Sequence, residues 1–324
     1  MTQVRFIFGI SLSLFLTFGS CSSDSSDDST TVDVDTVVNV QASNFTGVTI
    51  TTISATLSDG TVADCYQIVT NSVPTDHAMG PWCPSNISDD ASAGGIWLNN
   101  GTVHDVDGAF VQNLATFYND NTWMMYNSST GAITKTSTQA DCEAAANPNV
   151  GAAYQNYCVE CLPSYISGLQ QTFIIPITPI LKSTAVNFAT GPGGPASTVP
   201  STRGVALNGI EYSAPAPVSN ILAAYTIAPF DDAGGHINVH QGYHYHAATG
   251  MSTKVAQTDG HAAMIGYAMD GHAIYERLDS SGNEPTDLDS CRGHYDDVRG
   301  YHYHIDAAGN NNFINCLKGA YYVN

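Results

Sequence analysis

One stretch of this chain occurs twice. Asp231-Asp-Ala-Gly-Gly-His-Ile-Asn-Val-His-Gln-Gly-Tyr-His-Tyr-His246 aligns without gaps on Asp289-Ser-Cys-Arg-Gly-His-Tyr-Asp-Asp-Val-Arg-Gly-Tyr-His-Tyr-His304, at a constant offset of 58 residues. Asp, Gly-His, Gly and Tyr-His-Tyr-His are identical in both copies. Identities held at fixed spacing mark a repeated structural unit. The chain has 11 histidines, and all but His77 and His104 lie between His236 and His304.

Tyr-His-Tyr-His suits a strand, because aromatic residues favour pleated structure and successive side chains alternate faces. His244 and His246 then share one face, with Tyr243 and Tyr245 on the other. The preceding Gly-His brings a third imidazole back to the strand through a tight turn at Gly242. Two metal-binding sets follow, His236, His244, His246 and His294, His302, His304, forming either two sites or one pooled site across a pseudo-two-fold axis. Imidazole donors suit a transition metal such as zinc or copper, whereas calcium asks for oxygen. Three histidines with a vacant position are the layout of catalytic zinc.

Between the copies, Ile265 to Ala268 reads as a buried strand that ends in a turn at Asp270-Gly271-His272. Asp270 is the candidate to hold an imidazole in place or to act as a general base; the competing reading is an Asx-type turn. His261 and His272 are candidates to ligate or to support the site. His77 and His104 are isolated and read as structural.

The rest of the chain is poor in helix formers. Val37 to Ala63 alternates Val/Ile/Leu with Thr/Ser/Asn, the pattern of half-buried strands. Cys65 to Asp107 reads as loop; Phe110–Tyr118, Trp123–Tyr126 and Ala132–Thr136 read as short strands or one short helix. Thr138 to Ala146 is the clear helix. Phe173 to Lys182 is strand-like but carries Pro176 and Pro179, which places it at a sheet edge. Gly204 to Tyr212 reads as a hairpin turning at Asn208-Gly209. The expected fold is mainly β: a single large mixed-loop β domain over 45–324 with few short helices, its metal region over 200–324.

The N-terminus reads as an export signal. Arg5 precedes an apolar run from Phe6 to Phe18, too short for a permanent membrane helix. Phe18-Gly19-Ser20-Cys21 resembles a bacterial lipobox, which implies a signal peptide over 1–20 and a lipid anchor on Cys21. The Ser/Asp-rich tract that follows reads as a disordered tether over 21–44, and its acidity resembles surface-export signals of Bacteroidota lipoproteins. The expected location is therefore the cell envelope, as an outer-membrane lipoprotein facing the periplasm or the exterior. In such an oxidising compartment Cys65, Cys83, Cys142, Cys158, Cys161, Cys291 and Cys316 should mostly pair. Proximity suggests Cys65–Cys83 and Cys291–Cys316, with Cys142 joined to Cys158 or Cys161 and one thiol left over. Nine basic residues against 29 acidic ones argue against nucleic acid, which is bound by neutralising phosphates.

The segments Gly-Gly-His…Gly-Tyr-His-Tyr-His, Ile265-Gly-Tyr-Ala-Met-Asp-Gly271, Ile274-Tyr275 and Leu288-Asp-Ser-Cys-Arg-Gly-His294 resemble the YHYH family of exported proteins. Weaker similarity reaches back through Gly204–Tyr212 to Pro74-Thr-Asp-His77 and Trp82-Cys-Pro84, so the resemblance spans most of the chain after Val62 and implies one domain. Family members often carry Asn where Arg292 stands, and Phe-Pro in place of His272-Ala273. The resemblance implies an extracytoplasmic protein and carries no activity with it. Three functions compete: a metal-dependent hydrolase, a non-catalytic copper- or zinc-binding surface protein, and an adhesion or glycan-binding module acting on a small molecule or glycan. A sphere closed by four protein ligands points to storage; an open position points to catalysis.

Overall fold

In the computed structural model, which describes residues 36–147, 150–189 and 199–323, the Val/Ile–Thr/Ser alternation folds as an antiparallel hairpin, β1 (Thr49–Thr56) and β2 (Val62–Thr70). A second hairpin, β3 (Ile96–Asn99) and β4 (Thr102–Asp105), turns at Asn100-Gly101, both at positive φ as a tight turn requires. Both lie partly or wholly in the stretch expected to be loop. The segment after Asp107 is helical rather than extended: α1 (Gly108–Gln112) and α2 (Leu114–Phe117) follow a start at which Asp107 accepts from the Phe110 amide at 2.6 Å. The expected helix is α3 (Gln139–Ala145), opened by a reciprocal cap between Thr138 and Asp141. Strand β5 (Gln171–Pro176) adds to β2 at the sheet edge, where its proline is tolerated, and β6 (Leu181–Asn187) lies apart. Among the described residues no helix is long and apolar enough to cross a membrane.

The remaining chain builds the large sheet. Strands β7 (Gly204–Ala206) and β8 (Glu211–Tyr212) form the expected hairpin, and β9 (Gly235–Asn238) and β10 (Gly242–Tyr245) form the first histidine hairpin. Then β11 (Met264–Ala268), β12 (Ala273–Tyr275), β13 (Gly293–Asp296) and β14 (Gly300–His304) repeat the pattern, and β15 (Cys316–Gly319) returns to pair with β6. The sheet order is β13-β14-β12-β11-β7-β8-β10-β9. Each half has an antiparallel histidine hairpin whose inner strand runs parallel to the outer strand of a preceding hairpin. The halves meet where β7 and β11 pair antiparallel.

The duplication is therefore wider than the histidine motif. The turns at Asn208-Gly209 and Asp270-Gly271 correspond: both glycines have positive φ, and their amides donate to Ala206 and Ala268, each at 2.9 Å. Each identity in the repeat has a physical reason. Asp231 accepts from the Gly235 amide at 3.1 Å and from the Tyr243 hydroxyl at 2.8 Å; Asp289 accepts from Gly293 at 3.0 Å and Tyr301 at 2.9 Å. The tyrosine ring then lies directly over the glycine, so a methyl group on Gly235 would sit 2.4 Å from the Tyr243 ring. Gly242 and Gly300 have φ of 83° and 64° at the turns. One departure stands out: Gly234 (φ 89°) is matched by Arg292, held at φ 70° while its side chain binds the carbonyls of His304 and Ile305 and the Glu284 carboxylate.

The tyrosine face packs into the main core, where Tyr212, Tyr243, Tyr245 and Tyr303 join Phe313, Ile265 and Ile274. Among the described residues the disulfides are Cys83–Cys158, Cys142–Cys161 and Cys291–Cys316. The expected Cys65–Cys83 link does not form: Cys65 lies buried as a free thiol in the middle of β2, while Cys83 leads into the β3–β4 layer and meets Cys158 there. The expected signal peptide, Cys21 and residues 21–35 of the expected tether lie outside the described residues. The tether's last part, 36–44, instead lies on the domain, with Val40 buried and its amide donating to Ile177 at 2.8 Å.

Gly235→Ala should cost about 1–3 kcal/mol of stability through this overpacking, read as a lower urea midpoint at unchanged slope.

Candidate metal centres

Because side chains alternate along β10 and β14, fixing the tyrosines inward turns the histidines to the other face. Those histidines gather in two separate clusters, His236–His244–His246 and His261–His294–His302–His304, with donor atoms in each within 4.8 Å of one another. They lie at opposite ends of the eight-stranded sheet, so the pooled arrangement does not occur. All six repeat histidines are drawn in, and His261 joins them from the loop before β11. His272 does not: its Nδ1 faces the Tyr301 carbonyl at 2.9 Å and its ring packs against Tyr301 and Tyr303, on the tyrosine side. His77 meets Asp76 and the Tyr243 hydroxyl, and His104 stacks on Phe110.

The four-histidine cluster is oriented by hydrogen bonds at Nδ1. His302 faces the Gly300 carbonyl at 2.9 Å, His304 that of Glu276 at 2.8 Å, His261 that of Ala262 at 3.0 Å, and His294 the Asp287 carboxylate at 2.9 Å. With the proton on Nδ1, each Nε2 presents a lone pair. The Nε2–Nε2 separations are 3.0 Å (His294–His302), 3.2 Å (His294–His304) and 3.1 Å (His261–His302). A tetrahedral ion with nitrogens at about 2.0–2.1 Å sets its donors about 3.3 Å apart, so the cluster has the size of such a shell. Burial, followed by neighbouring imidazoles, lowers the pKa of His304 to about 3. Burial is also the main cause that takes His302 down to about 4. Neutral rings are the ligating form.

The three-histidine cluster has the same frame, with ring centroids 4.8–4.9 Å apart and His244 Nδ1 on the Gly242 carbonyl at 3.0 Å. Burial drives His236 and His246 well below the ordinary histidine value. Its surroundings differ at three positions. Where β12 carries Tyr275, packed on His261 and His302 with centroids at 4.7 and 4.9 Å, the matching strand continues into Ser213. Where Ala273 lies beside His302, Glu211 lies beside His244, in register on parallel strands and so on the same face. Where Arg299 ties Asp259 of the His261 loop to Asp296, the equivalent Gln241 instead donates to Glu211 at 2.8 Å and Ser213 at 3.0 Å. No fourth imidazole enters. A cavity of about 1030 Å³ opens there, with His236, His244, His246, Glu211 and Arg203 in its wall.

Sequence reasoning missed Glu211 and Arg203, which reach the site only through strand register. Of the two readings left open for Asp270, the turn is the one its hydrogen bonds fit. The Asp270 carboxylate accepts from the Tyr303 hydroxyl at 2.6 Å and the amides of Gly319 (2.8 Å) and His272 (3.2 Å), all away from the histidine face. Its counterpart Asn208 meets Tyr245 at the same place but with the roles reversed, its amide nitrogen donating to the Tyr245 hydroxyl at 2.8 Å. Asp270 thus forms an Asx-type turn that anchors a tyrosine and is no base at either cluster.

Residues 172–287 match the family model described as YHYH protein. The match takes in the three-histidine cluster and His261 but stops short of His294, a narrower span than the resemblance read from the sequence. No curated protein and no solved structure matches the chain.

Asp270→Asn should lower stability by about 1–3 kcal/mol, since one amide oxygen cannot replace the two carboxylate oxygens that accept from Tyr303 and Gly319 on one side and from His272 on the other. Metal content, measured by elemental analysis, should stay unchanged; a loss of metal would return Asp270 to the site.

Proposed function

We propose that this chain, whose residues 172–287 carry the YHYH domain, is an exported metalloprotein with one reaction centre and one structural centre. The reading rests on a single observation: two copies of one histidine frame differ in closure. His261, Tyr275 and the Arg299 clamp shut the second copy, whereas the first keeps three imidazoles facing a large cavity. Four-ligand sites stabilise folds, and three-ligand sites with an open position support catalysis.

In this reading His236, His244 and His246 hold zinc or copper. Bound there, such an ion supplies Lewis acidity and acidifies water, the chemistry of a hydrolase. Glu211 is the group placed to accept a proton. Its carboxylate is buried beside His244 and steadied by Thr202 at 2.7 Å and Gln241 at 2.8 Å, with lone pairs to spare. Ser213 and Gln241 orient the substrate's polar groups. Export and a lipid anchor on Cys21 complete the proposal, placing the site in the cell envelope. Metal capture without catalysis is the second reading, favoured by the closed four-histidine cluster.

Elemental analysis of protein without a His-tag should find two ions per chain. His244→Ala should remove one ion together with hydrolysis of 4-nitrophenyl ester and phosphate probes. His302→Ala should remove the other ion, cost about 3–4 kcal/mol as expected for losing a saturating ligand, and spare the chemistry. Two ions with no probe turned over would favour capture; no metal at all would end both readings. Cys21→Ser should move the protein from membranes to the soluble fraction.

A further inference from the structure

Arg203 sits just ahead of β7, in the wall of the cavity shared by the three-histidine cluster. It is only 8% exposed. Its guanidinium lies 4.2 Å over the Phe188 ring, and Nη1 donates to the Ser201 carbonyl. Nε is buried with no hydrogen-bond partner. Glu211, the carboxylate whose charge is felt at Arg203, accepts from Thr202 on one oxygen and from Gln241 on the other, and among the described residues no ion pair to Arg203 forms. Burial pushes the Arg203 pKa down to about 10, with Glu211 opposing the shift, so the group stays charged at neutral pH.

A buried, unpaired guanidinium is costly to keep, and its planar fork matches carboxylate and phosphate oxygens. In a chain of formal charge −20, a cation kept inside a cavity rather than on the surface is selective for what enters. We propose that Arg203 binds the anionic group of the substrate, a small organic carboxylate or phosphate, while the rest of that molecule extends past Glu211 to the histidines. This deepens the reading of the cavity as the reaction centre and rests on it. A volume of about 1030 Å³ has the size of a small-molecule site.

The test is calorimetric titration of detergent-solubilised full chain, metal-loaded and metal-free, with succinate and glycerol 3-phosphate. Succinamide and glycerol serve as neutral controls. At least one anion should bind ten-fold or more tightly than its neutral counterpart, and which one does so identifies the anionic group. That preference should vanish in Arg203→Met, survive in part in Arg203→Lys, and persist in metal-free protein. Near-UV circular dichroism checks the fold of each variant. Anions bound no better than the neutral controls, or equally well by Arg203→Met, would overturn the inference while leaving two ions per chain intact. Anion preference in a protein that takes up no metal would instead defeat the reaction-centre reading alone.

Discussion

Everything at the histidine clusters depends on how the tyrosines between them are anchored. Tyr243 and Tyr301 donate to Asp231 and Asp289, and Tyr245 and Tyr303 meet Asn208 and Asp270, so each strand is held by two hydroxyls on its buried side. A strand fixed on one face presents the other with little freedom. In the four-histidine cluster carbonyl acceptors at Nδ1, and for His294 the Asp287 carboxylate, then set ring rotation, and the Nε2 lone pairs come to 3.0–3.2 Å of one another. Neutral lone pairs at that distance repel unless a cation lies among them.

From that common frame the halves diverge through one added imidazole, His261, and through the residues around the histidines. A tyrosine, an alanine and an arginine clamp close one copy; serine, glutamate and glutamine stand at the matching places in the other. None of these alters the motif itself. In the reading proposed above, duplication lets the sheet keep one copy for stability while the other faces the cavity.

Much of this was legible in the sequence. The constant spacing of Gly-His and Tyr-His-Tyr-His revealed the repeat, the period of two separated histidine from tyrosine, and Asn208-Gly209 marked a hairpin. What stayed hidden depends on long-range pairing. Cys65 and Cys83 are close in sequence, yet β2 and the β3–β4 layer carry them apart. The preceding hairpins correspond as well, but at a different offset from the histidine motif and with few identities, so Asn208 and Asp270 did not read as equivalents. Glu211 is 33 residues from His244 in sequence, and nothing short of strand register shows that they are side by side. The stretch after Phe110 was open between short strands and a short helix, because aromatic residues favour strands; Asp107, which caps a helix there, decides for the helix.

Arg292 carries a last consequence. A left-handed backbone at a non-glycine residue costs of order 1–3 kcal/mol, yet the second copy accepts it where the first uses Gly234. In return the guanidinium laces the carbonyls of His304 and Ile305 to Glu284. The second half has thus traded conformational ease for a tie across the end of its own histidine strand, which fastens that strand to the Glu284 loop.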